Sequence, residues 1–353
     1  MRVVILANNI DEVGGAQRVV RTLAEGFAGT HEVDLVGVTP HVSPHAYGHA
    51  DGYTEHRLMG HVWPTPATDA NRLTRRDLRA SAVAQLRSIL AQGQPGVIIV
   101  AQVWAMELLA DAGHDGWIIV GQYHGSFAAA ASGRDLTRVL TSYRDADAFL
   151  ALTEEDAHAF ERCGLNNVRV MPNPIGTWPE AVDPVHHVVG YLGRLSPEKG
   201  PDLLLDAWAP LAHDFPAWSL RIAGEGPLRD EITRRAATLP RVDVVPTVTD
   251  PHSFWKGVGV GVLPSRTEGL PVALAEAQAN GIPCVATDCS SGVRFLCQGV
   301  LVQPGELATG LASLMWHSAL RRELGIRGRA AMEQYRADAI LARWEVLFAN
   351  LTR

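Results

Sequence analysis

Lysine is nearly missing from this chain of 353 residues: Lys199 and Lys256 are the only two, so either one stands out. Basic charge as a whole is outweighed, with Lys+Arg at 31 against Asp+Glu at 38 and a formal net charge of −7. That balance argues against nucleic acid as the main partner, because phosphate backbones select large basic surfaces. Long apolar runs are lacking as well. The opening MRVVILANNI ends its apolar run at two asparagines, too soon for a signal peptide, and no later run approaches the roughly 20 residues that span a bilayer. A cytoplasmic location is the expectation. The four cysteines, Cys163, Cys284, Cys289 and Cys297, form no CxxC pair; reduced thiols are expected, with a zinc site from the last three as the alternative. A dinucleotide fingerprint is missing too. "GGAQRV" at 14–19 lacks GxGxxG, and no acidic residue ends a second strand in the expected way, which argues against a dehydrogenase.

What is present is a core-forming composition, 47% hydrophobic with 20% charged, at a length that suits about two domains. "RVVILA" is a short β-rich run, and "AQRVVRTLAEGFA" after it has helical spacing, so the chain opens with a βα unit. Similar runs recur at "VDLVGV", "GVIIVA", "WIIVGQY" and "AFLALT", mostly separated by helical patterns, which predicts a mainly parallel sheet covered on both faces. The texture then changes at "PNPIGTWPEAVDP", residues 172–184, where four prolines and two acidic residues without periodicity read as an interdomain connection. Alternation restarts with "HVVGYLG", "SLRIAG", "VDVVPT", "VGVGVLP", "PCVAT" and "GVLVQP". The predicted fold is α/β, with two Rossmann-like doubly wound domains over 1–175 and 176–335 and a last helix over 336–353. Ala337, Ile340, Leu341, Trp344, Leu347 and Phe348 form one stripe on that helix, which needs an apolar surface to cover; periodicity does not say which half supplies it. Parallel sheets bind ligands outside the carboxyl ends of their strands, so the cleft between the halves is where unusual residues should converge.

Two stretches of the second half carry the chemistry. "GYLGRLSPEKG", 190–200, ends a strand, turns through Gly193 and presents Arg194 and Lys199 before the helix "PDLLLDAWAPL". Arginine as a fork and lysine as a point charge at such a strand mouth suit a phosphate, the alternative being a solvated loop with a Glu198–Lys199 surface pair. "RTEGLPVALAEA", 266–277, places Glu268 at the mouth of a strand-to-helix junction and Glu276 inside the helix. A buried carboxylate is costly unless paired, so each needs a partner in the fold or in a ligand. Pro271 suits the first turn of a helix running to about Asn280 and ended by Gly281, so the amides around Gly269 and Leu270 form a helix N-terminus that welcomes an anion. At helical rise the two glutamates lie roughly 10 Å apart along the axis, whereas a glycosidase pair needs its carboxyls on the order of 5 to 9 Å apart. One ligand with hydroxyls at both ends and a diphosphate between fits better: a nucleotide sugar, with Glu276 on the ribose and Glu268 at the sugar.

The ordered set of motifs resembles a retaining glycosyltransferase of the GT-B fold, family 4. Glu268 and Glu276 match its paired-glutamate signature, "GRLSPEKG" its diphosphate loop, "AGEGP" at 223–227 its turn, and "VMPNPI" its interdomain junction; the likeness covers nearly the whole chain and is strongest over 190–287. The resemblance implies that Arg194 and Lys199 hold the diphosphate, Glu276 the ribose, and Glu268 with the Gly269 and Leu270 amides the donor sugar. It implies that His124, in "HGSF" after the strand "WIIVGQY", touches the sugar. It further implies that the last helix crosses back onto the N-terminal domain, that the donor is a UDP- or GDP-sugar, and that no metal or cofactor takes part. The acceptor hydroxyl would belong to a glycan, a lipid-linked or a small molecule. The chain departs from the family at "DCSSGVRFLCQGVLVQPGE", where Arg294 and Phe295 follow a shortened turn. An epimerase or phosphorylase on the same scaffold, or a non-catalytic sugar-nucleotide-binding subunit, are the alternatives.

Three features of the first half remain. Gly14 and Gly15 let the first loop approach a phosphate or sugar closely, or else make a tight βα turn. Arg72, Arg75, Arg76 and Arg79 fall at helical spacing and form a basic stripe for a phosphorylated acceptor or for weak peripheral contact with an anionic membrane face; the alternative is a solvated face, and the acidity of this half weakens the membrane reading. "DADAF", 145–149, imitates a DxD metal motif but precedes its strand, which puts its aspartates on the wrong side of the sheet.

Overall fold

The computed structural model describes residues 1–42, 51–64, 69–133, 135–248 and 250–352. The chain divides into two compact units: Met1–Gly176 together with Ala337–Arg353, and Thr177–Arg336. Among the described residues no helix is long and apolar enough to cross a membrane.

The first unit is built on seven strands: β1 (Arg2–Ala7), β2 (Glu32–Gly37), β3 (Tyr53–Arg57), β4 (Val97–Val100), β5 (Ile118–Gln122), β6 (Ala148–Ala151) and β7 (Val168–Val170). They pair in parallel in the order β3-β2-β1-β4-β5-β6-β7. Every residue of β1, β4 and β6 is buried, as expected for strands with helices on both faces. The two edge strands escaped the sequence pattern. β3 reads YTEHR and is held by polar side-chain bonds rather than by apolar alternation: Arg21 donates to Glu55 at 2.6 Å, and His56 meets Asp34 at 2.8 Å. β7 reads VRV and, at three residues, is too short for its alternation to stand out. Asp147 of the DADAF run stands just before β6 and accepts the Ile119 amide at 2.7 Å, at the end of the sheet away from the strands' carboxyl ends.

The helix Ala337–Leu351 completes this unit. Ile340, Trp344, Leu347 and Phe348 are buried, and the Trp344 and Phe348 rings pack on Phe27, at the end of the helix Gly15–Phe27, with centroids 6.2 and 5.3 Å away. Leu341 lies against Gly26 so closely that a methyl there would meet it at 2.2 Å.

The second unit contains β8 (Val188–Leu192), β9 (Ser219–Ala223), β10 (Val242–Val245), β11 (Val260–Leu263), β12 (Cys284–Thr287) and β13 (Val300–Val302), all parallel, in the order β10-β9-β8-β11-β12-β13. Trp208, Leu205, Leu211 and Leu311 are among the buried side chains of its core. In each sheet the strand order runs outward and then jumps back across the first strand. The switch points therefore lie between β1 and β4 and between β8 and β11, where crevices open at the carboxyl ends of α/β sheets.

Candidate active site

The switch point between β8 and β11 is bordered by the two chemistry-bearing stretches. After β8 the chain turns through Gly193 and Arg194, makes a single 3₁₀ turn at Pro197–Lys199, passes Gly200 and enters the helix Pro201–Asp214. Gly200 has φ +65°, and a Cβ there would stand 2.2 Å from the Pro264 carbonyl oxygen, so only glycine lets this turn lie on the chain leaving β11. After β11 come Pro264, Ser265, Arg266, Thr267 and Glu268, then the helix Val272–Ala279.

Lys199 and Glu268 meet across this crevice. Lys199 Nζ donates to Glu268 Oε2 at 2.7 Å, and the Ser265 hydroxyl donates to Oε1 at 2.7 Å. Glu268 is 7% exposed, and these two bonds, one charged, answer the cost of burying it. Ser265 is itself fixed, because the buried Thr287 hydroxyl at the end of β12 donates to its carbonyl. Arg194 is exposed, and the Tyr191 hydroxyl donates to its carbonyl at 2.7 Å. Burial tends to raise the Glu198 pKa, yet the Ser196 hydroxyl, the Glu198 amide and the charges of Arg194 and Lys199 together hold this carboxyl below its usual range. Both cations therefore act on one small loop. Burial, with the nearby Glu268 charge, pushes the Cys289 thiol up to about 11, so it stays protonated at neutral pH.

Two local expectations are corrected. Pro271 is the N-cap of its helix, not part of the first turn, because its extended backbone (ψ 106°) precedes the helical residues. Gly269 and Leu270 consequently lie ahead of the helix, and the helical-rise spacing of Glu268 and Glu276 does not apply over 268–271. Glu276 is half-buried on the helix, and the Asn280 side-chain amide donates to its carbonyl at 2.8 Å. Two contributors lie outside the sequence reading: Ser265 and Thr287. A serine three residues before a glutamate in a strand-end loop is the available signal for the first; nothing local marks the second.

In the first unit, His124 follows β5 and lies beside Asn173. Burial pushes its pKa down to about 4, so the ring is neutral near pH 7. Gly14 is the extended N-cap of Gly15–Phe27 (φ −165°), a conformation open to any residue, and Gly15 is exposed at the first position of that helix. The arginine stripe divides. Arg75 donates to the Pro64 carbonyl and covers the Trp63 ring at 5.2 Å, and Arg79 pairs with Asp111 at 2.7 Å, whereas Arg72 and Arg76 are exposed. All four cysteines are free thiols, and among the described residues no group of three His, Cys, Asp or Glu could hold a metal.

These features define a class: a pair of parallel α/β units, one with a cation and a buried carboxylate at its topological switch point. Residues 13–178 match the model described as Glycosyltransferase Family 4, and residues 186–317 match that described as Glycosyl transferases group 1. The chain belongs to this glycosyltransferase family, and its fold is that of the GT-B glycosyltransferases. An uncharacterized glycosyltransferase of Haemophilus influenzae is 29% identical over 232 residues, 61% of this chain and 65% of that protein. An exopolysaccharide phosphotransferase of Streptomyces coelicolor is 26% identical over 99% of this chain but 41% of its own length. The chain thus spans less than two thirds of either relative. Sucrose-phosphate synthase from Thermosynechococcus elongatus superposes with a TM-score of 0.80 at 19% identity, covering 99% of this chain and 98% of that one. Anabaena HepE, solved with UDP and glucose, does so with 0.77 at 17% identity, covering 99% and 100%.

Proposed function

We propose that this chain transfers a hexose-type sugar from a UDP- or GDP-sugar to an acceptor hydroxyl in glycan, glycolipid or natural-product biosynthesis, with retention at the anomeric carbon. The observation that carries the proposal is the Lys199–Glu268 pair at the β8/β11 switch point, a cation and a buried carboxylate 2.7 Å apart where α/β sheets take their ligands. HepE, whose structures hold UDP and UDP-glucose, and relatives named for polysaccharide biosynthesis support the choice of donor and product class.

In this reading Lys199 turns from Glu268 to the diphosphate and, with Arg194 and the Gly269 and Leu270 amides, stabilises the charge that builds on the leaving group. Glu268, freed at one oxygen and still held by Ser265 at the other, accepts from the sugar hydroxyls, and Glu276 accepts from the ribose. Neutral His124 is assigned to a sugar hydroxyl. The acceptor oxygen bonds to the anomeric carbon as the bond to the phosphate oxygen breaks, and that departing oxygen takes the acceptor's proton. Charge stabilisation is assigned to these side chains rather than to a metal. Exposed Arg72 and Arg76 are assigned to an anionic acceptor or to a weak contact with an anionic membrane face. The test is release of nucleoside diphosphate from UDP- and GDP-sugars with and without candidate acceptors, in buffer containing EDTA. Acceptor-dependent release supports the reading; release without an acceptor points to another enzyme on the scaffold, and loss of turnover in EDTA overturns the metal-free assignment.

A further inference from the structure

Two loops carry the paired charges, and one side chain ties them together. Arg266 stands two residues before Glu268 on the loop after β11. Its guanidinium donates to Asp202 Oδ1 at 2.8 Å and Oδ2 at 2.6 Å, and to the Pro197 carbonyl at 2.7 Å. Its backbone amide donates to the Glu198 carbonyl at 2.8 Å. Pro197 and Glu198 are the two residues before Lys199 in the 3₁₀ turn, and Asp202 lies in the first turn of the helix that follows. The turn bearing Lys199 is thus gripped on both sides of the lysine by the loop that bears Glu268.

We propose that Arg266 is a positioning residue for the nucleotide-sugar site, stapling the Lys199 turn to the Glu268 loop so that cation and carboxylate keep their register when a ligand replaces their mutual bond. The role rests on the nucleotide-sugar reading. A paired carboxylate acceptor and a carbonyl in fixed directions match the planar fork of arginine and not the single ammonium of lysine. The pair sits at the surface, with side-chain exposures of 42% and 25%, and pairs so exposed add little to global stability. Its contribution is to order a loop before binding, which removes the ordering cost from the binding step.

The experiment is calorimetric titration of UDP and of GDP into the wild type and R266A, R266K, D202A and R266A/D202A, with thermal unfolding of each. R266A and D202A are expected to weaken binding about ten-fold, with the double variant no worse than either single one. R266K should fail to restore affinity, and the unfolding midpoints should move by less than about 2 °C. Wild-type affinity in R266A overturns the proposal. So does an affinity loss that merely follows a fall in thermal stability. Should the wild type bind neither nucleotide, the nucleotide-sugar reading falls, and amide exchange over 196–200 still decides the staple: faster exchange in R266A supports it, and unchanged exchange overturns it.

Discussion

Glu268 is buried and acceptor-only, so the side chains around it decide both its cost and its use. Lys199→Ala removes its charged donor and leaves the Ser265 hydroxyl. On the proposed mechanism, in which this cation steadies the leaving diphosphate, turnover of a nucleotide sugar should fall by about 10² to 10³. The same substitution should cost about 1–3 kcal/mol of stability, the penalty of an undersatisfied buried group. Adding Glu268→Gln should recover most of that stability and none of the turnover, a contrast that paired unfolding and rate measurements would show. His124 gives a pH dependence. Its folded pKa near 4 lies below the ordinary 6.5, so between these values the unfolded chain binds a proton that the folded chain refuses. The stability it contributes is complete above pH 6.5 and is lost as pH falls toward 4, by about 2–4 kcal/mol for a shift of this size. His124→Gln should flatten that part of the stability profile, read from denaturant midpoints between pH 4 and 7; a profile unchanged by the substitution would contradict the buried neutral ring.

At the scale of elements, the loop carrying Glu268 depends on its neighbours. The short helix Ser291–Leu296 seats Gly292 so close to this loop that a Cβ would stand 1.8 Å from the Gly269 carbonyl oxygen. Gly292→Ala must displace the Gly269 segment, and we expect it to raise the KM for the nucleotide sugar by about ten-fold or more with little change in the core. Unchanged KM would show that the loop position does not matter. The strands most legible in the sequence are the central ones, since burial on both faces forces continuous apolar runs such as VVIL and VIIV. β3 and β7 were hidden because edge strands need no such run, and the side-chain hydrogen bonds that hold β3, Arg21 to Glu55, His56 to Asp34 and Arg57 to Asp11, join residues 22 to 46 positions apart. Lys199 and Glu268 were legible as unusual residues at strand ends. Their direct bond and the Arg266 staple were not, because each links positions more than 60 residues apart and only the folded sheet brings β8 beside β11.

At the scale of the molecule, the two units have separate cores, so unfolding is not expected to be a single two-state step. The last helix belongs to the first unit although it follows the second in the chain. Its apolar stripe announced a missing surface, and only the fold identifies that surface as the helix Gly15–Phe27. Trp344→Ala, at a fully buried position, should lower the unfolding transition of the first unit by about 3–5 kcal/mol and leave that of the second in place; equal loss in both would contradict this division. The central claim, that the β8/β11 switch point of the second unit holds a nucleotide sugar, is tested most directly by a crystal structure of the chain soaked with UDP-glucose. The account predicts the diphosphate against Lys199 and Arg194 beside the Gly269 and Leu270 amides, the ribose at Glu276, and the sugar at Glu268. A nucleotide bound away from Lys199 and Glu268 would contradict it.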